Sequence, residues 1–359
     1  MTLIAATLNH GHPIIIGDIL LSSPTKDKDF KLPTFLKGIE NYLPVDSKLY
    51  PISLRQKIYV IKDNLAIALA GLVTNMIEFL RLIRNEYLNK EVTKANLTEF
   101  LNKLEVKNLD GIAYLTLLES KLEGESKFLV EGYGSWDKRE NNVFESIWAI
   151  GSGSSDFLEE ADRYKYELEG FGATNNYNKA LSQNFMLINN LMGRETLTLS
   201  TIQKFWGAGY EIIVFEDGKF KKFKELTFIA WNGSYDENKK LNFTPFIILK
   251  YSYYKDILTI LSTNGQTIEA FGVLEIGKKK EDINTLEIPI PAFDSEHICN
   301  CFFIKLDDGR VTTPSLFINK KDGLGKIFLR MTNKGQLEIG VSSKLCEFLD
   351  GQIKTNKHR

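Results

Sequence analysis

Two short apolar runs open the chain on either side of a polar turn. Thr2–Leu8 and Pro13–Leu21 are rich in Ile, Leu and Ala, and Asn9, His10, Gly11 and His12 between them carry turn chemistry, which predicts a β-hairpin. Antiparallel pairing about that turn brings Thr2 close to Asp18 or its immediate neighbours. Lys57–Ile61 and Leu65–Ala70 flank Lys62-Asp63-Asn64 in the same way and predict a second hairpin. Between the two, Pro24–Asp46 is charged, carries Pro24, Pro33 and Pro44, and keeps no period. It reads as an irregular insertion with a short helix around Phe35–Tyr42.

Helical spacing follows. Met76, Phe79, Leu80, Ile83 and Tyr87 predict a helix over Asn75–Leu88, and Leu97, Phe100, Leu101 and Leu104 predict another over Thr93–Leu104. Strands are expected near Gly111–Glu119, Lys127–Gly132 and Ile147–Ile150, then helices at Ser155–Glu169 and Tyr177–Met192, then a hairpin of Glu211–Phe215 with Lys219–Phe223. Helices arriving in pairs between antiparallel strands suggest an α+β fold, two sheets sandwiched between two helical layers, over residues 1–224. Beyond Glu225 the helical period fades. Phe246–Tyr253, Ile257–Leu261, Thr267–Ile276, Thr285–Ile290, Cys301–Leu306, Lys326–Met331 and Gln336–Val341 predict the short strands of an all-β domain over residues 225–359. The polar tail Lys354–Arg359 is expected to be disordered.

Composition narrows the function classes. A net charge of -1 with both signs interspersed gives no general attraction to nucleic acid or to an anionic membrane. The longest apolar runs, Ile14–Ile16 and Leu65–Leu72, are too short to span a bilayer, and no secretory leader is evident, so a cytoplasmic protein is expected. Cys299, Cys301 and Cys346 make no disulfide framework, and Cys299-Asn300-Cys301 has the wrong spacing for a zinc knuckle or a redox pair. Histidine is scarce: His10 and His12 lie in the first turn, His297 in the second half and His358 in the tail. That argues against Ser-His-Asp and Cys-His hydrolases, and no His-Glu-x-x-His segment suggests a metal. One class of hydrolase needs no histidine. An N-terminal threonine attacks through its hydroxyl while its own α-amine, titrating near pH ~7.7–8.0, accepts the proton. Thr2 meets that requirement once Met1 is removed, which its small side chain permits.

Four ordered segments point the same way. Asp18 lies sixteen residues after Thr2, Lys48 heads Lys-Leu-Tyr-Pro-Ile, Gly71 precedes the first long helix, and Gly151, Ser152, Gly153 and Ser154 run from a strand into the next helix. Together they resemble the matching segments of proteasome β-type N-terminal nucleophile (Ntn) hydrolases, over residues 2–224. The resemblance implies a four-layer αββα Ntn-hydrolase sandwich followed by the β-rich domain, whose role it leaves open. It implies Thr2 as nucleophile and Asp18 with Lys48 as the charged pair beside it. The Gly71 N–H would face the oxyanion, and Ser152 would help orient the amine. It further implies a peptide or protein substrate, no metal or organic cofactor, no nucleic-acid or membrane partner, and assembly as a homo-oligomer or ring.

Three departures shape the expectation. The Pro24–Asp46 insertion lengthens the interval from Asp18 to Lys48 and makes Lys57 the alternate lysine. The stretch Lys204–Gly209 lacks the aspartate and serine that the family carries there, with Ser200 and Thr201 nearby. The β-rich half has no place in a minimal subunit. A threonine-type peptidase, a non-catalytic assembly or binding protein, and a small-amide acylase therefore stand side by side.

Overall fold

The structure is a computed structural model that describes residues 2–27, 30–36, 39, 42–44, 46–104, 110–122, 125–164, 175–279, 295–306, 309–319, 327–331 and 337–356. The first hairpin forms as the turn chemistry dictates. β1 (Ile4–Asn9) pairs with β2 (His12–Asp18) in the register Ala5↔Ile16 and Thr7↔Ile14, around Gly11 at φ 73°. Every residue from Leu3 to Ala6 is buried, because the strand has a core on each face. Leu3, Ala5, Ile14 and Ile16 pack with helices on one side, while Ile4, Ala6 and Ile15 meet a second sheet on the other. An uninterrupted apolar run is what a strand covered on both faces requires.

β3 (Leu20–Ser23) and β4 (Tyr50–Gln56) follow, then β5 (Ile58–Lys62), β6 (Leu65–Gly71), β7 (Ile112–Leu122), β8 (Glu125–Tyr133), β9 (Trp136–Asn141) and β10 (Glu145–Ile150). β11 (Tyr210–Glu216) and β12 (Lys219–Lys222) complete a six-stranded sheet in the order β12-β11-β2-β1-β10-β9. A four-stranded sheet, β5-β6-β7-β8, packs against it through Ile58, Ala66, Ala68, Leu115, Ile150 and Ile213. On its far face lie α1 (Val73–Glu86), with Met76, Phe79, Leu80 and Ile83 buried, and α2 (Lys94–Lys103). Thr93 and Asn96 close a reciprocal capping box at the start of α2, which fixes where that helix begins.

The expected four-layer αββα sandwich with an appended all-β domain does not describe this molecule. Strands account for 48% and helices for 24%, so sheet outweighs helix two to one. The helix Asn176–Thr198 is no outer layer, since 15 of its 23 residues are buried. Its second face is covered by a further sheet containing β13 (Glu225–Tyr235), β14 (Leu241–Tyr254), β15 (Ile257–Thr263), β16 (Ile268–Glu275), β17 (His297–Lys305), β18 (Val311–Thr312) and β19 (Ser315–Asn319). That sheet also recruits β3 and β4 from the first quarter of the chain, through the parallel pair Leu274↔Arg55. Cys301 and Phe303 pack against Gly193, where an added Cβ would meet Cys301 Sγ at 2.4 Å. Burial of Ser182, Gln183, Asn184 and Asn189 alongside Leu and Phe is why no simple apolar stripe marked this helix as internal.

Other expectations shift at their edges. The fourth helix runs from 176 to 198 rather than 177 to 192, and the third covers Ser154–Asp162, its expected end lying outside the described residues. The strand expected at 285–290 also lies outside them, as does half of the short helix expected at 35–42. Of the tail expected to be disordered, 354–356 instead end the helix Ser343–Asn356, and the rest lies outside the described residues. Leu345 and Leu349 of that helix cover the outer face of the third sheet with Ile229, Trp231 and Phe302. No helix among the described residues is long and apolar enough to cross a membrane.

Candidate active site

Thr2 sits just before β1 and Asp18 ends β2, so the hairpin register alone sets them side by side. The Thr2 hydroxyl donates to Asp18 Oδ1 at 2.6 Å, and Leu3 N donates to the same oxygen at 2.7 Å. Asp18 Oδ2 accepts from Gly207 N at 3.0 Å and Leu20 N at 3.3 Å. These donors satisfy both oxygens of a carboxylate that is fully buried.

The lysine beside Thr2 is Lys57. Its ammonium donates to Thr2 Oγ1 at 2.5 Å, Asp18 Oδ1 at 2.7 Å and the Leu20 carbonyl at 2.6 Å. All three N–H groups are engaged, so the nitrogen acts as a cation and not as a base. Burial pushes its pKa down, and the Asp18 carboxylate opposes that fall. Lys48, favoured by the Lys-Leu-x-Pro-Ile match, is exposed ahead of β4 and takes no part. Lys57 lies at the junction of β4 and β5, where Arg55 N bonds the Ile19 carbonyl and Leu69 N bonds the Lys57 carbonyl. Those bonds set its backbone between Asp18 and β6. The backbone N–H of Lys57 is held by Glu211, which also accepts from Ile58 N at 3.1 Å and pairs with Lys222 at 2.5 Å.

Ser152 and Gly71 complete the surroundings. Thr2 N donates to Ser152 Oγ at 3.2 Å, and Gly153 N donates to the Thr2 carbonyl at 3.1 Å. Gly151 must be glycine: at φ 92°, a Cβ there would lie 2.2 Å from the Thr2 carbonyl oxygen. In β6, Leu69 N points to Lys57 and Leu72 N points to Gly111. Strand alternation therefore directs the Gly71 N–H to the Lys57 side, one step beyond the last pairing. Thr2, Gly71, Gly111, Ala113, Ser135 and Ser152 line one depression of about 440 Å³. Depressions of about 690 Å³ by His297 and about 860 Å³ by Lys62 are larger, but no serine, threonine or cysteine lines either. Chemistry, not volume, selects the one at Thr2.

Of the residues expected from sequence, Thr2, Asp18, Gly71 and Ser152 come together and Lys48 does not. Two carboxylates escaped the sequence reading. Glu211 braces Lys57, and Glu195 from the long helix accepts Ala208 N at 3.0 Å and Thr201 Oγ1 at 2.5 Å, with the Thr34 hydroxyl as a further donor. Their signal in the sequence was weak: Glu211 is an acid heading an apolar strand, and Glu195 sits among polar residues of a helix with nothing to mark it. His10 and His12 sit at the opposite end of the hairpin, roughly 20 Å from Thr2 by strand rise. Among the described residues no three His, Cys, Asp or Glu side chains gather as a metal-binding set.

Burial pushes the Glu195 carboxyl from its ordinary 4.5 up to about 7, against the hydrogen bonds from Thr201, Thr34 and Ala208 that favour the anion. Between those two values the folded protein binds the extra proton. This contribution to stability is full below pH 4.5 and is lost as pH rises through about 7. Glu195→Gln is expected to flatten that slope by roughly 3 kcal/mol across the window, as read from denaturant unfolding at several pH values. An unchanged slope would show that Glu195 titrates normally.

The sequence matches no protein-family model and no curated protein.

Proposed function

We propose that the chain is a threonine-type amide hydrolase, a peptidase related at its site to proteasome β-type enzymes, with Thr2 exposed by removal of Met1. One observation carries this reading: a buried threonine hydroxyl bridges Lys57 and Asp18 at 2.5 and 2.6 Å on the floor of an open depression. A structural threonine needs neither a desolvated ammonium nor a depression above it.

The reaction is acyl transfer. Thr2 Oγ1 attacks the amide carbon while the freed α-amine, held by Ser152, accepts the hydroxyl proton. The Lys57 ammonium lowers the pKa of both groups by its charge, and Asp18 fixes that ammonium. The Gly71 N–H faces the developing oxyanion, a role typically worth about 2.7–4 kcal/mol. The C–N bond then breaks, the proton passes from the amine to the leaving nitrogen, and an ester remains on Thr2. Water adds to that ester, giving its proton to the amine, and the acid leaves with the Thr2 hydroxyl restored.

Intact mass after expression is expected to show loss of one methionine, and an electrophilic peptide probe is expected to form one adduct that maps to Thr2. Retained Met1 or an unlabelled Thr2 would favour the non-catalytic assembly or binding role. Cleavage rates for unfolded protein, short peptides and simple acyl amides separate a peptidase from a small-amide acylase.

A further inference from the structure

The loop from Phe205 to Gly209 is wound against backbone preference. Phe205, Gly207, Ala208 and Gly209 have φ of 62, 108, 65 and 117°. Two of these residues are not glycine, so something outside the loop must hold them. Glu195 is in place to do so. Its carboxylate accepts Ala208 N with both oxygens, at 3.0 and 3.1 Å, and takes the hydroxyls of Thr201 and Thr34. It packs so close to the Gly207 α-carbon that a Cβ there would lie 2.1 Å from Oε2. No ion pair among the described residues includes it, although it is fully buried. The loop it grips faces the catalytic hairpin: Gly207 N donates to Asp18 Oδ2 at 3.0 Å, and Ile19 N points to the Gly207 and Gly209 carbonyls at 3.3 Å.

We infer that Glu195 is a positioning residue for the Asp18–Lys57 pair, acting through the Phe205–Gly209 loop whose Gly207 N–H it aims at Asp18. Thr201 and Thr34 share the task, so an acid and two hydroxyls from the long helix, the following turn and the Pro24–Asp46 segment do what Lys204–Gly209 lacks in its own sequence. This rests on the hydrolase reading for its effect on rate, but not for its effect on the loop. The hydroxyl partners can donate to a carboxylate or accept from a protonated acid, so the grip survives either form while its geometry shifts. The groups facing Glu195 are Asp18, whose charge favours the protonated form, and Tyr210 and Tyr251, whose buried hydroxyls titrate well above their ordinary value. Arg194 acts on Tyr210 from the same helix while it pairs with Glu160.

The test reads two quantities on the full chain: the rate at which an electrophilic peptide probe acylates Thr2, and hydrogen exchange over Phe205–Gly209. Glu195→Ala is expected to slow acylation about 100-fold at unchanged half-saturating probe concentration, and to speed exchange in that loop. Glu195→Gln keeps an acceptor for Ala208 N and is expected to stay within about threefold of wild type. Its exchange over Phe205–Gly209 should also lack the pH dependence near 7 that is expected of the wild-type loop as Glu195 gives up its proton. Wild-type acylation in a folded Glu195→Ala, or equal losses in the Ala and Gln variants, overturns the inference. If Glu195→Ala does not fold, the Gln variant decides by the same pH profile. If wild type itself is not acylated, the hydrolase reading fails. Loop exchange then decides alone: faster exchange in Glu195→Ala supports the positioning role, and unchanged exchange removes it.

Discussion

Replacing Thr2 with alanine is expected to abolish hydrolysis, by at least about 10⁴-fold in kcat, while the protein still folds. In the proposed mechanism the hydroxyl oxygen is the attacking atom, and no other serine or threonine touches both Lys57 and Asp18 among the described residues. Stability should fall by about 1–3 kcal/mol, because one buried Lys57 N–H loses its acceptor. Thr2→Ser keeps the oxygen and should retain measurable turnover. Initial rates on a fluorogenic peptide, with thermal unfolding of each variant, check the three expectations together. Full activity in a folded Thr2→Ala protein ends the mechanism.

The second large effect distinguishes two lysines. Lys57→Met is expected to remove activity and to cost about 3–5 kcal/mol, since it leaves the buried Asp18 carboxylate without its cation. Lys48→Ala should change stability by less than about 0.5 kcal/mol, as for other exposed side chains, and should leave the rate alone. Chemical denaturation and initial rates measured on both variants decide between them. If Lys48→Ala were the damaging change, the site would be assembled differently from the arrangement described above.

Those two lysines show where the sequence was legible and where it was not. Lys48 carried the better motif, but a motif records neighbours along the chain and says nothing of what lies across a sheet. Lys57 is fixed by backbone bonds to Leu69 and Glu211, 12 and 154 positions away, and by the bond from Arg55 N to the Ile19 carbonyl. It had one local mark, a lysine at the head of an apolar strand. Glu195 had still less, because its role depends on the backbone of a loop whose positive φ values no residue type announces at Phe205 or Ala208. The acid and the hydroxyls that meet around this loop come from Glu195, Thr201 and Thr34, far apart along the chain or outside the loop itself.

The layers divide in the same way. Helix and strand periods located most elements, since burial on one face imposes a period of 3.6 or 2 on a local stretch. They misjudged the long helix, whose second buried face depends on a sheet that forms later in the chain and borrows β3 and β4 from its start.

By itself, the sequence determined the Thr2–Asp18 juxtaposition, because a tight turn and strand alternation fix register without help from distant residues. It also determined the Gly151–Ser152 strand-to-helix turn and the lack of a nearby histidine. Only the tertiary structure decided which lysine faces Thr2, which carboxylates brace the site, and how many layers cover it. Those choices are made by buried charges, each of which must find partners in three dimensions once water is excluded.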